Sequence, residues 1–186
     1  MKHLWPGLRS GKPVRGVVIV AVTLALCRFA GPAWAASPCP GEDAAAQPCA
    51  PVSRATLTVP PDFALTWSGG PTHAEWGARE AITLDARGRL QVRETRWDRP
   101  SRRDVVQVKL DQVITPAQVR EVYALALGCG FFDLLPSYHN PQVRDGFVES
   151  LSLTAGGRTH QVSVYYCPVP RYQRLAAALR HLIKEK

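Results

Sequence analysis

The chain has 186 residues, 46% of them hydrophobic, and a formal net charge of +8. Five basic and no acidic residues lie in the first 35 positions, so the remaining 151 residues carry only +3. So small an excess of positive charge argues against nucleic-acid binding, and 151 residues are enough for one domain with a sizeable core.

The N-terminal segment has the three parts of a secretory signal peptide. Basic residues precede an uncharged run at 16–26, and Ala33 and Ala35 provide an A-x-A cleavage site. The run is shorter than the about 20 apolar residues that a spanning helix needs. We therefore expect residues 1–35 to be removed, leaving an exported, periplasmic or extracellular protein that is not held in the membrane. A retained anchor and lipidation at Cys27 are the less favoured alternatives.

Four cysteines remain after the signal peptide: Cys39, Cys49, Cys129 and Cys167. An even number in an exported chain predicts disulfides, and four cysteines allow three pairings. Because Cys39 and Cys49 bracket a short loop, the pairing of Cys39 with Cys49 and of Cys129 with Cys167 is favoured. The cysteine spacings include no C-x-x-C pair and no histidine pair lies nearby, so we expect no metal site.

Residues 36–53 are rich in alanine and proline and lack large apolar side chains, which is typical of a linker. A single domain is predicted over 54–186. Alternating apolar residues predict its first strands, and these strands lie at 56–59, 62–67, 80–84, 89–96 and 104–110. Ser68-Gly69-Gly70-Pro71 is predicted to end the second of them, and residues 85–88 to form a hairpin turn.

Helical periodicity begins at Thr115-Pro116-Ala117-Gln118, where Thr115 and Gln118 predict a capping box. Gly128 and Gly130 end this helix, and apolar residues at 131–135 are expected to enter the core. After a polar loop at 137–145, strands at 147–154 and 158–166 flank a Gly-Gly turn, and a helix covers 171–186. The pattern predicts an α+β fold: an antiparallel sheet (β-meander, helix, β-hairpin, C-terminal helix) with two helices packed on one face.

Residues that could carry chemistry are few. The sequence contains none of the common hydrolase, nucleotide-binding or zinc-protease motifs. His139, Arg144 and Asp145 share one loop, but a general acid or base must be held within hydrogen-bond reach of the reacting group, and the sequence shows only their proximity along the chain. A turn role for Asp145 is favoured. We expect no enzyme and no cofactor, with catalysis through the loop between His139 and Asp145 as an open alternative.

Several short segments follow one another along the chain in a distinctive order. They are Trp67-Ser68-Gly69-Gly70, Gly130-Phe131-Phe132-Asp133-Leu134, Arg144-Asp145-Gly146-Phe147, then Gly157-Arg158 with His160, Val162 and Val164, and a leucine-rich terminal helix. Over residues 62–183 this resembles the emfourin-like family, small proteinaceous inhibitors of thermolysin-like metallopeptidases. The resemblance implies a compact sheet with two helices and a peptidase as partner.

The sequence thus predicts an exported, non-enzymatic binding domain, with peptidase inhibition as its specific form. The loops at 68–76 and 137–146 are expected to face the partner, and two such loops can supply an interface of about 800 Å². The proposed contact residues are Ser68, Gly69, Gly70, His73, Trp76, His139, Arg144 and Asp145. The alternative is an envelope-associated structural or cell-surface-binding protein of unknown ligand, favoured by the linker and the mild positive charge. The domain is expected to be a monomer.

Overall fold

A computed structural model describes residues 39, 47–73, 75 and 77–184. The predicted signal peptide, most of the predicted linker and Trp76 lie outside these residues. The elements of the described part, in chain order, are β1 Ala64–Pro71, β2 Arg79–Asp85, β3 Arg89–Asp98, β4 Arg103–Val113, α1 Pro116–Gly128, a 3₁₀ turn Phe131–Asp133, β5 Ser137–His139, β6 Phe147–Ala155, β7 Arg158–Tyr165 and α2 Pro170–Lys184. The predicted α+β class is confirmed.

The strands form one sheet in the order β4-β3-β2-β1-β6-β7-β5. All neighbours are antiparallel except β5, which pairs in parallel with β7. The prediction of a purely antiparallel sheet is therefore wrong. Within the segment predicted as a polar loop, Tyr138 is 2% exposed, and its hydroxyl accepts the Leu135 backbone N–H at 3.0 Å. Burial of this ring holds residues 137–139 against the sheet edge.

One face of the sheet carries the core because the strand registers align the apolar positions. Trp67 lies opposite Ile82 on one side and Leu151 on the other, and Leu65 lies likewise between Leu84 and Leu153. Both helices contribute buried side chains to the same cluster, and these are Val119, Val122, Tyr123 and Ala126 from α1 and Tyr172, Leu175, Ala176, Leu179 and Leu182 from α2. No described helix is both long and apolar enough to cross a membrane.

Two local signals in the sequence act as predicted. The Thr115 hydroxyl accepts the Gln118 backbone N–H at 3.3 Å, and the Gln118 side chain accepts the Thr115 backbone N–H at 2.9 Å, which completes the capping box. Gly156 and Gly157 form the β6–β7 turn with φ of +60° and +72°. The Asp62 carboxylate accepts both of their backbone N–H groups, at 2.8 and 2.6 Å.

Several predicted element bounds are wrong. Residues 56–59 form no strand, and β1 continues through the Ser68–Pro71 segment that was predicted to end it. Phe147 and Tyr166, at the ends of the predicted strands 147–154 and 158–166, are 43% and 52% exposed. β7 ends at Tyr165, and the left-handed φ of +51° at Tyr166 takes its ring out of the alternating pattern, whereas Phe147 is the first residue of β6.

The disulfides join Cys39 to Cys167 and Cys49 to Cys129. The favoured pairing of Cys39 with Cys49 is therefore wrong. The backbone of this segment runs along α1, where Ala50 N–H donates to the Gly128 carbonyl at 2.8 Å and brings Cys49 beside Cys129. Both bridges fasten the segment predicted as a linker to the domain. Two disulfides indicate folding in an oxidising environment.

Candidate functional site

The two loops predicted to bind a partner lie side by side at one end of the sheet. Because β1 and β6 are antiparallel neighbours, with Pro71 opposite Phe147, the chain leaves one strand where it enters the other. The Thr72 backbone N–H donates to the Gly146 carbonyl at 2.8 Å. His73 Nε2 lies 3.8 Å from Asp145 Oδ1. The structure therefore brings His73 and Asp145 together, as a contact between the two loops.

Ser68, Gly69 and Gly70 are not part of a loop. They lie inside β1, hydrogen-bonded between β2 and β6, with both glycines buried. A Cβ at Gly69 would come within 2.5 Å of Trp67 Cζ2, so the missing side chain makes room for the indole. A glycine pair followed by proline usually breaks a strand. In this protein the close approach of the Trp67 ring explains the glycine at position 69, and the loop begins only at Thr72.

His139 and Arg144 take different positions in the predicted contact region. The His139 ring stacks on Tyr165, with 4.9 Å between centroids and 13° between planes. Desolvation raises the pKa of Tyr165, and the negative charge of Asp145 raises it further. Arg144 is exposed, and its side chain forms no ion pair with the described residues. His139 is thus held by packing, while the Arg144 guanidinium is free to contact a partner.

A groove of about 490 Å³ opens beside these loops, between α2 and the ends of β6 and β7. The Tyr166 ring forms one wall and lies against Gly146, where a Cβ would be 2.2 Å from Tyr166 Cε2. Phe147 is also part of the lining, and Gln173 lines the groove from α2. The groove and the two loops therefore form one continuous surface.

A charged cluster lies at the base of the groove. The Glu149 carboxylate accepts the Trp67 indole N–H at 3.3 Å with one oxygen and the Arg180 guanidinium at 2.8 Å with the other. Arg180 also stacks on the Trp67 ring, 4.3 Å from its centroid. The buried hydroxyl of Tyr172 lies in this lining without a hydrogen-bond partner among the described residues, and burial strongly raises its pKa. Because Glu149 and Arg180 neutralise each other, the groove presents a largely apolar, aromatic surface.

Phe147 and Tyr166 were not among the contact residues predicted from the sequence. Tyr166 has a left-handed φ of +51°, which is unusual for a tyrosine and places its ring outward immediately before the disulfide at Cys167. The sequence offered only their positions as a signal: Phe147 immediately follows the predicted contact loop at 137–146, and Tyr166 is the last residue of the predicted strand at 158–166. Because both aromatics continue the alternating apolar pattern of these strands in the sequence, they resembled core residues and not contact residues.

In the part of the chain that the structure describes, this surface holds neither a cluster of metal-ligating side chains nor an enclosed acid–base pair. Among the described residues there is no group of three or more His, Cys, Asp or Glu side chains that could hold a metal ion. His73 and Asp145 are both exposed, with side-chain exposures of 58% and 67%, so they lie outside any enclosed pocket that would suit acid–base catalysis. Neither the protein-family models nor the curated proteins give a match to this sequence.

Proposed function

We propose that this protein is an exported binding domain that inhibits a thermolysin-like metallopeptidase. Its contact surface is the recognition edge, which we define as residues 72–73, 144–147 and 166. The observation that carries the proposal is the direct joining of the two loops, by the Thr72–Gly146 hydrogen bond and the His73–Asp145 contact. Two separate stretches of chain thereby present one surface to a partner.

The recognition edge is fixed to a rigid scaffold. Its loops leave the central strands β1 and β6, and Tyr166 precedes a cysteine that is bonded to Cys39. Loops held in one conformation lose little conformational entropy on binding, which favours tight association. A proteinaceous inhibitor needs such a fixed conformation, because it must fill the cleft of the peptidase without changing shape as a flexible substrate does.

The side chains of the recognition edge suit a protein partner. Phe147 and Tyr166 expose aromatic rings, and aromatic residues with arginine dominate the energetics of protein interfaces. Arg144 supplies an exposed cation next to them. This combination supports recognition of a partner surface that has an apolar depression and an acidic rim.

The proposal is tested by titrating the purified exported protein, with both disulfides intact, against a thermolysin-like peptidase cleaving a chromogenic peptide. We expect the activity to fall in proportion to added protein until it is lost. Undiminished peptidase activity at a large excess of the protein would refute inhibition.

A matched pair of variants locates the contact surface. Phe147→Ala combined with Tyr166→Ala should weaken inhibition at least about 30-fold, because two interface aromatics at about 1 kcal/mol or more each contribute about 2 kcal/mol or more together. Val113→Ala, on β4 at the far edge of the sheet and 76% exposed, should leave inhibition unchanged. If the protein inhibits nothing but is retained on isolated cell-envelope fractions, the envelope-associated alternative is supported instead.

A further inference from the structure

The strand β4 is an open edge of the sheet with exposed apolar side chains. It is the first strand in the sheet order and runs for 11 residues, from Arg103 to Val113. Val105, Val106 and Val108 are 46%, 59% and 53% exposed. Exposed strand edges offer unpaired backbone N–H and C=O groups, and an apolar edge is a template for pairing with another strand.

Both faces of this strand are uncovered. Val105 and Val106 are consecutive, so their side chains point to opposite faces of the sheet, and both are about half exposed. The helices therefore do not reach this part of the sheet. Lys109 has no opposite residue in β3, since Val92 pairs with Leu110 and Arg93 with Val108. This bulge ends the regular part of the edge just beyond Val108.

We infer that β4 pairs with β4 of a second copy of this chain, antiparallel, with the two-fold axis at Gln107. In such a pair, Val106 lies opposite Val108 of the other copy, and Val108 lies opposite Val106. Gln107 lies opposite Gln107, where the two amides can hydrogen-bond to each other. Two valine–valine pairs and the backbone hydrogen bonds of residues 106–108 form the contact.

The side-chain pattern selects this register among the two-fold alternatives. Opposite residues in a continuous sheet lie on the same face, so the axis must pass through a residue. An axis at Val106 gives one valine–valine pair and places Asp104 opposite Val108. An axis at Val108 also gives one valine–valine pair instead of two. The axis at Gln107 gives both valine pairs, and both lie within the regular segment that precedes the bulge.

The β4 edge is a surface separate from the recognition edge. Three strands, β3, β2 and β1, lie between β4 and β6 in the sheet. Pairing at β4 therefore leaves Phe147 and Tyr166 exposed in each copy. Self-association and inhibition can be measured independently, and each can fail without the other.

Sedimentation velocity of the exported protein over a range of concentrations tests the inference. We expect a reversible dimer in the wild type. Val106→Lys with Val108→Lys places like charges opposite each other twice, and should raise the dimer dissociation constant at least about 10-fold. Val106→Lys with Val108→Glu places opposite charges there and should keep the dissociation constant within about 3-fold of the wild type.

The two double variants carry substitutions at the same two positions. A difference between their dimer dissociation constants therefore shows that residues 106 and 108 of the two copies lie opposite each other. Both should unfold thermally as the wild type does, because the replaced side chains are more than half exposed. A wild type that stays monomeric at about 100 μM would overturn the inference in favour of the monomer expected from the sequence. Equal dimerisation of the two double variants would also overturn it.

Discussion

The guanidinium of Arg180 lies over the indole ring of Trp67, 4.3 Å from the ring centroid. Arg180 thereby joins α2 to the central strand β1, and Glu149 of β6 links the two by accepting from both. The cluster sits below the groove of the recognition edge. The same residues hold α2 against the sheet and form the base of the groove, so the cluster is part of both the fold and the candidate site.

Removal of the Arg180 side chain should destabilise the protein measurably. Arg180→Ala removes the stacking on Trp67 and leaves Glu149 with the indole N–H as its remaining side-chain donor, which should lower the free energy of unfolding by about 1 kcal/mol. Urea denaturation followed by tryptophan fluorescence measures the change. Arg174→Ala, at an exposed position of the same helix, is the control and should change stability by less than about 0.5 kcal/mol.

The glycine at position 69 should not tolerate a methyl group. Gly69→Ala places a Cβ about 2.5 Å from Trp67 Cζ2, and Trp67 is 2% exposed and held by Glu149 and Arg180, so its ring cannot move aside. We expect a loss of about 1–3 kcal/mol in the free energy of unfolding. Gly77→Ala is the control: its nearest neighbour, Pro71 Cγ, would be 3.7 Å away, and a neutral or slightly stabilising effect is expected. Equal effects at both glycines would contradict this account of β1.

The stability of the protein should fall in acid partly through Asp111. Hydrogen bonds from Arg89 and then from Gln91 lower the pKa of Asp111 to about 2. A carboxyl group whose folded pKa lies below its unfolded value stabilises the fold above the unfolded pKa, and that contribution is lost as the pH falls towards the folded pKa. Asp111→Asn should therefore reduce the dependence of stability on pH between about pH 4 and pH 2. Urea denaturation across this range measures it, and an unchanged slope would contradict it.

The disulfide connectivity can be read from peptides. Cys39 and Cys49 share one tryptic peptide, which ends at Arg54, whereas Cys129 and Cys167 lie in peptides 121–144 and 159–171. The structure predicts that all three peptides stay linked without reduction. Further cleavage at Glu42 should leave Cys39 with 159–171 and Cys49 with 121–144. A free peptide carrying both Cys39 and Cys49 would instead restore the pairing favoured by their spacing.

A methyl group at Gly146 should affect binding more than stability. Its Cβ would lie 2.2 Å from Tyr166 Cε2, but Tyr166 is 52% exposed and its ring can rotate away. Gly146→Ala should change the free energy of unfolding by less than about 0.5 kcal/mol and weaken inhibition about 10-fold, because the displaced ring belongs to the recognition edge. Tyr166→Phe keeps the ring in place and is the control. Full inhibition by the Gly146 variant would remove Tyr166 from the contact surface.

The local features of the sequence determined the α+β class, the start of α1 and the β6–β7 turn. Each depends on a few consecutive residues: the alternation of apolar side chains in strands, the Thr115–Gln118 capping box, and the two glycines at 156–157 whose positive φ closes a tight turn. The even number of cysteines likewise pointed to disulfides. These features involve neighbours in the chain, so the chain order is enough to find them.

The tertiary structure alone decided the pairing of the cysteines, the course of β1 through Ser68–Pro71 and the parallel position of β5. It also decided that Phe147, Tyr166 and the valines of β4 stay exposed, since alternation predicts a face but not whether a helix covers it. These outcomes depend on which segments lie next to each other in space. Cys39, for example, is bonded to a cysteine that lies 128 residues away in the chain.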